Sequence, residues 1–161
     1  SLLGFGLPGV LIALVIGVVG AENYLLVVFY SCLLATIFTG LSVLISLVAR
    51  RRQLALGIAL GVWIFCEVVY GLLMLGTTLY LPASVLETTL LVGLLGNPVD
   101  LARVLSLLEV GGPHLFGPAG ATLVKLAGSP TVAKLFGLAG LLAWLVLPVA
   151  ISARIFGKQN L

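Results

Sequence analysis

Three consecutive arginines, Arg50, Arg51 and Arg52, stand between two apolar runs that are each long enough to cross a membrane. The runs cover residues 24–49 and 54–80, and a spanning helix needs about 20 mostly apolar residues. Three adjacent guanidinium groups fit only in water at the lipid surface. Because arginine in a short loop favours the cytoplasmic side, the triplet predicts that the two runs meet at the cytoplasm.

The composition explains why lipid must be the solvent for most of this chain. Hydrophobic residues make up 61% of the 161 residues and charged residues only 8%, whereas about a quarter of a soluble domain is charged. We therefore predict an all-α integral membrane protein, with residues 1–161 forming a single transmembrane domain that is a fragment of a longer chain. The net charge of +3 is small and does not support a nucleic-acid partner.

Two more apolar runs, residues 4–20 and 131–155, bring the number of predicted spans to four. Residues 20–23 leave room only for a tight external turn between the first two spans. The last span ends in Arg154 and Lys158, and by alternation this end is also cytoplasmic, which agrees with the arginine triplet. Lys134, at the opposite end of the last span, is expected to extend its ammonium group into the external interface.

Residues 82–129 are too interrupted for a full crossing and are predicted to form an external helical segment. Ser84 and Glu87 have the spacing of a capping box, which opens a short helix. Asn97 is then a strong N-cap for a second helix, with Pro98 at the favoured first position. Two short apolar helices joined at this point predict either a re-entrant hairpin or an interfacial cap. Asp100 and Arg103, three residues apart, can form an ion pair.

Glu67 lies near the middle of the predicted span 54–80, where a carboxylate costs about 2.5–3.5 kcal/mol on insertion scales. Tyr70 follows three residues later on the same helical face and could donate its hydroxyl hydrogen to Glu67. Two interpretations stay open. Glu67 is either a protonated side chain held in helix packing, or a functional group in transport, proton coupling or a partner contact.

Catalysis and cofactor binding find little support in the sequence. No Walker-type glycine-rich loop is present, so the chain is not expected to bind ATP in the P-loop manner. Cys32 and Cys66 fall inside predicted spans and are interpreted as small packing residues. His114 has no second ligand type near it, so no metal site and no cofactor are expected.

The stretch from Asn97 to Arg103 reads Asn-Pro-Val-Asp-Leu-Ala-Arg and resembles an Asn-Pro-x-Asp-x-x-Arg segment of ABC-2 type permeases. The resemblance is to those assigned to nitrous oxide reductase and multicopper enzyme maturation. Residues 47–52, 55–63 and 117–121 and the basic tail are similar as well, so the resemblance covers the chain as the C-terminal four of six spans. The chain departs from the pattern after Tyr70, where family members carry Asp and this chain has Gly71.

The resemblance implies a permease subunit that forms a homodimer in the cytoplasmic membrane of a bacterium or archaeon. An ATP-binding subunit would dock on its cytoplasmic side, and ATP hydrolysis there would drive maturation of a periplasmic multicopper enzyme through a periplasmic accessory protein and a copper-delivery lipoprotein. The chain itself would not be an enzyme. Two alternatives stay open: an ABC-2 exporter of a lipid, drug or polysaccharide, and a membrane scaffold without transport.

Overall fold

The computed structural model describes Gly9, Leu11, Val15 and residues 18–49, 51–110 and 117–159, and these ranges contain helices and short turns but no strand. The helices are α1 (Val18–Val48), α2 (Arg52–Ile64), a π turn (Phe65–Val69), α3 (Tyr70–Tyr80), α4 (Ala83–Gly96), α5 (Pro98–Val110), α6 (Gly117–Ala127) and α7 (Pro130–Gln159).

Three helical stretches are long and apolar enough to cross a membrane: Glu22–Val48, Arg52–Tyr80 and Pro130–Gly157. The pair α4 and α5 makes a fourth apolar stretch, bent by 102°. The predicted all-α membrane fold is therefore confirmed. Most of the predicted span 4–20 lies outside the described residues.

The external turn predicted at residues 20–23 is wrong, because these residues are helical and belong to α1. The physical reason is the absence of a strong breaker. Gly20 and Asn23 are weak helix formers that favour a turn, but no proline interrupts the segment and glycine is tolerated in membrane helices.

Helices α1 and α7 run in the same direction. Tyr30 in the first half of α1 and Lys134 in the first turns of α7 both contact Glu109. Further along both helices, Gly40 lies close to Pro148, since a Cβ atom on Gly40 would be 3.5 Å from the proline ring. The C-terminal parts of α1 and α7 thus reach the same end of the bundle.

This shared end, which we call the arginine end, carries Arg51 at the N-cap of α2, Arg52 as the first residue of α2, and Arg154 in the last turns of α7. Arg50 lies outside the described residues, and of Lys158 only the helical backbone is described. From the arginine end the chain returns through α2, the π turn and α3 to the opposite end, which we call the hairpin end.

Helices α4 and α5 form a hairpin that begins and finishes at the hairpin end. Helix α4 starts at Ala83, just after α3 finishes at Tyr80. In the last turn of α5, Glu109 contacts Lys134 in the first turns of α7. The corner lies at Asn97, whose φ of −128° and ψ of 113° are extended, because the proline that follows disfavours helical backbone at this position.

The corner of the hairpin reaches the middle of the neighbouring spans. The side-chain amide of Asn97 donates to the carbonyl of Cys66, 2.8 Å away, and Cys66 is the middle residue of the 29-residue span Arg52–Tyr80. From the other side, Trp144, at the middle of the 30-residue α7, donates to the carbonyl of Leu95 at 2.9 Å. By its bend the pair is a broken span or a re-entrant loop, and these contacts at the middle of the spans favour the re-entrant hairpin over the interfacial cap.

Helix α5 lies in the core of the described bundle. Leu101 and Leu105 are fully buried and pack against Gly140 and Gly137 of α7, where a Cβ atom would be 2.9 and 2.8 Å from the respective leucine methyl groups. Glycine at such contacts lets helix backbones approach closely in a membrane. The short α5 is thereby held among longer helices.

The capping box predicted for Ser84 and Glu87 is wrong. The N-cap of α4 is Pro82, which makes no side-chain capping bond. Glu87 instead forms an ion pair with Lys125 of α6. Its carboxylate is therefore engaged in a tertiary contact and does not cap α4.

Candidate functional site

The ionisable residue predicted in the middle of a span and the charged residues of the hairpin form one cluster. Nη2 of Arg103 lies 2.9 Å from Oε1 of Glu67, and Nη1 lies 3.2 Å from Oδ1 of Asp100. Glu67 belongs to the π turn and the other two residues to α5. Two carboxylates and one guanidinium thus meet beside the centre of the span Arg52–Tyr80, and the predicted pair of Asp100 with Arg103 is present.

Asn97 anchors this cluster from the corner of the hairpin and is only 1% exposed. Its Oδ1 accepts a hydrogen bond from the backbone N–H of Val99 at 3.1 Å, as an N-cap does. Its Nδ2 donates to Oδ2 of Asp100 at 3.0 Å and to the carbonyl of Cys66 at 2.8 Å. One amide side chain therefore caps α5, orients Asp100 and ties the corner to the π turn.

The π turn explains why the carbonyl of Cys66 has room for this bond. In an α-helix the N–H of Tyr70 would donate to the carbonyl four residues back, which is that of Cys66. In the π turn it donates to the carbonyl of Phe65, five residues back. Single π turns inside α-helices are frequent at functional sites. Here the irregular turn leaves an acceptor for the hairpin.

The predicted hydrogen bond from Tyr70 to Glu67 is wrong. The hydroxyl of Tyr70 donates to the carbonyl of Gly93 in α4 at 2.7 Å. The prediction assumed α-helical spacing, which places residues i and i+3 on one face, whereas the wider π turn between these residues separates them. Tyr70 thus supports the hairpin near its corner, and Glu67 points to Arg103.

The cluster is only partly enclosed by the described residues. The side chains of Arg103 and Glu67 are 51% and 36% exposed, and that of Asp100 is 19% exposed. Asp100 and Arg103 line a groove of about 300 Å³ that extends to Thr78 and Gly117 at the hairpin end. Glu67 and Arg103 also line a smaller space of about 220 Å³ with Ser31 and Ser106. Because half-exposed charges at this depth face protein or water and not lipid, the cluster can contact a further molecule.

A second charged cluster holds the hairpin at its other end. Glu109, whose side chain is 8% exposed, accepts a hydrogen bond from the hydroxyl of Tyr30 at 3.2 Å and pairs with Lys134 at 2.5 Å. The ammonium group of Lys134, expected at the external interface, thus pairs with a carboxylate of α5 that the sequence analysis did not assign to it. The available signal was a glutamate and a lysine within otherwise apolar segments, each without a partner nearby in the sequence.

No metal site is formed by the residues that the structure describes, since no group of three or more histidine, cysteine, aspartate or glutamate side chains lies together there. His114 lies outside the described residues. Both cysteines are free thiols, and Cys66 contributes to the candidate site through its backbone carbonyl.

The sequence model of the ABC-2 family transporter proteins matches residues 1–161, which is the whole chain. No curated protein and no solved structure gave a match. Proteins of this family are the membrane components of ABC transporters and pair with an ATP-binding subunit. They are generally not catalytic themselves. The chain is therefore a multi-pass membrane protein of the ABC-2 transporter family and a permease subunit of an ABC transporter.

Proposed function

We propose that this permease subunit passes a conformational change from an ATP-binding subunit at the arginine end to a periplasmic accessory protein at the hairpin end. The process served would be maturation of a multicopper enzyme such as nitrous oxide reductase. The arginine end would face the cytoplasm of a bacterium or archaeon, in line with the cytoplasmic preference of arginine in short loops.

One observation carries the mechanical part of this proposal. The re-entrant hairpin is bonded at its corner to the middle of the span Arg52–Tyr80, through Asn97 with Cys66 and through Arg103 with Glu67. That span starts at the arginine end, so a movement of α2 reaches the hairpin through contacts at half depth. The copper-enzyme part is supported by the resemblance of residues 97–103 to the maturation permeases. The position of these residues at the corner and in the first turns of α5 supports a part in this coupling.

We further propose that a second copy of this chain covers the Glu67–Arg103 cluster and the outer face of α2. The cluster needs protein or water beside it. On α2, none of the residues is buried, and Gly57 and Gly61 have no atom within 4 Å of a Cβ built on them. Small residues four apart on an open helix face favour close helix packing in membranes.

Export of a lipid, drug or polysaccharide is the second candidate function. The groove of about 300 Å³ favours it, because it leads from the hairpin end to Asp100 and Arg103 between largely apolar walls. A scaffold without transport is the third reading, and binding of an ATP-binding subunit would argue against it.

The test is co-purification of the complete protein, tagged in native membranes, followed by identification of the bound proteins. An ATP-binding subunit together with a periplasmic assembly factor for a copper enzyme is the expected result. An ATP-binding subunit without such a factor would favour the exporter. Absence of any ATP-binding subunit would contradict the proposed function altogether.

A matched pair of variants links the result to the candidate site. Arg103→Ala should reduce the amount of bound periplasmic factor while the spans stay inserted. Lys125→Ala removes an ion pair with Glu87 that is more exposed and lies outside the cluster, so it should leave the factor bound. Equal binding to both variants would argue against a role of the cluster in external assembly.

A further inference from the structure

The most unusual backbone in the described residues is the π turn Phe65–Val69, and the hairpin is bonded to it. The carbonyl of Cys66 accepts from Asn97, while the N–H of Tyr70 donates to Phe65. The next residue along the chain, Glu67, holds Arg103. The two polar contacts between the π turn and the hairpin therefore depend on one local irregularity of the span.

We propose that residues 65–69 are a two-state latch that alternates between π and α geometry and thereby docks or releases the corner of the re-entrant hairpin. In the docked state, which is the one described here, the carbonyl of Cys66 bonds to Asn97. In the released state the N–H of Tyr70 donates to the carbonyl of Cys66 in an ordinary α-helical hydrogen bond. Asn97 then no longer contacts this carbonyl.

Release loses one hydrogen bond, that from Asn97 to Cys66, because the N–H of Tyr70 only changes its acceptor from the carbonyl of Phe65 to that of Cys66. Against this loss, the span regains regular α-helical geometry. The other two bonds of Asn97, to Val99 and Asp100, lie within the corner itself and move with it. The π turn is the less common backbone geometry, and the docked contacts with the hairpin stabilise it. Such opposing contributions give two states that a modest input can interchange.

The latch also determines the direction of Glu67. A π turn holds one residue more than the α-helical turn it replaces, so its conversion to α geometry corresponds to about 100° of rotation and about 1.5 Å of translation between α2 and α3. Helix α3 stays with α4, because the hydroxyl of Tyr70 bonds to Gly93 and Met74 packs against Gly93. Helix α2 and the π turn therefore rotate relative to α3, and this rotation moves Glu67 away from Arg103. Rotation of α2 at the arginine end is thus converted into release of the hairpin at half depth.

Solid-state NMR on the complete complex in bilayers tests this directly. The protein is labelled with 13C at cysteine carbonyls and 15N at asparagine side chains, and Cys32 is replaced by serine. The Cys66 carbonyl carbon and Nδ2 of Asn97 should be at most about 4 Å apart, the 2.8 Å hydrogen bond plus the roughly 1.2 Å carbonyl bond. Dipolar dephasing of the carbon signal by the 15N nucleus measures this distance. Loss of the dephasing in Asn97→Ala assigns it to this side chain.

The proposal expects strong dephasing without nucleotide and its loss when the complex is trapped with ATP. Deletion of Val68, an exposed residue of the π turn, should restore an α-helix and abolish the dephasing even without nucleotide. Equal dephasing in both nucleotide states would overturn the latch and leave a static brace. Dephasing that persists in the deletion variant would also contradict it.

The nucleotide comparison rests on the proposed function, and the two can fail separately. If no ATP-binding subunit is bound, the proposed function fails, while the deletion variant still tests the latch in the permease alone. If the bound subunit hydrolyses ATP and the dephasing never changes, the latch fails and the proposed function stands.

Discussion

Nη2 of Arg103 lies 2.9 Å from Oε1 of Glu67, so an ion pair joins the second helix of the re-entrant hairpin to the middle of a membrane span. The two residues are 36 positions apart in the sequence. Asp100 shares the same guanidinium group at 3.2 Å. The hairpin is therefore held by opposite charges at a depth where an unpaired charge is costly.

Replacing Arg103 by alanine should lower the free energy of unfolding by about 1–3 kcal/mol, between the values for exposed and buried ion pairs. The loss arises because Glu67 and Asp100 are left as neighbouring carboxylates without a cation. Unfolding by SDS in mixed micelles measures it. Adding Glu67→Gln should recover part of the loss, since one of the two carboxylates is then neutral. A double variant whose loss equals the sum of both single losses would contradict the pairing.

Asn97→Ala should cost about 2–4 kcal/mol, because it removes three hydrogen bonds from a buried position, each worth about 1 kcal/mol net. Asn97→Asp should also be destabilising, since a carboxylate can accept from Val99 but cannot donate to Cys66. The same unfolding titration reports both losses, with Asn23→Ala in α1 as the control. Stability of Asn97→Asp equal to that of the original protein would show that the bond to Cys66 contributes nothing.

Tyr70→Phe should cost about 1 kcal/mol, the net value of one hydrogen bond, because its hydroxyl donates to the carbonyl of Gly93. Since this bond does not involve Glu67, the effects of Tyr70→Phe and Glu67→Gln should add within about 0.5 kcal/mol. A double-mutant cycle in the same unfolding assay measures the coupling free energy between the two substitutions. A coupling above about 1 kcal/mol would restore the bond between Tyr70 and Glu67 that the sequence suggested.

Lys134→Met should destabilise the protein by about 2–4 kcal/mol, because it leaves the carboxylate of Glu109 buried without its cation. Lys134→Met combined with Glu109→Gln should be clearly more stable than Lys134→Met alone. Tyr30→Phe removes only the bond at 3.2 Å and should cost less. These values come from thermal unfolding in detergent. If Lys134→Met is neutral, its ammonium group extends into solvent and does not hold Glu109.

Several features followed from the sequence because they depend on composition and on neighbouring residues. The excess of apolar residues predicts spanning helices, since too few polar side chains exist to face water. The N-cap at Asn97 and the corner before Pro98 follow from local backbone chemistry. The pair of Asp100 with Arg103 follows from helical spacing.

The remaining features of the site needed the tertiary structure, because they join residues that are far apart in the sequence. Spacing identified Glu67 as an unusual residue but could not place Arg103 beside it. The assumption of regular helical geometry assigned Tyr70 to the wrong partner, since a π turn has no clear signature in residue type. Lys134 was taken as interfacial because Glu109 lies in another helix. By itself the sequence determined that the long apolar segments are helical; only the packing of α5 among α1, α7 and the π turn decided how deep the hairpin reaches and which charges meet.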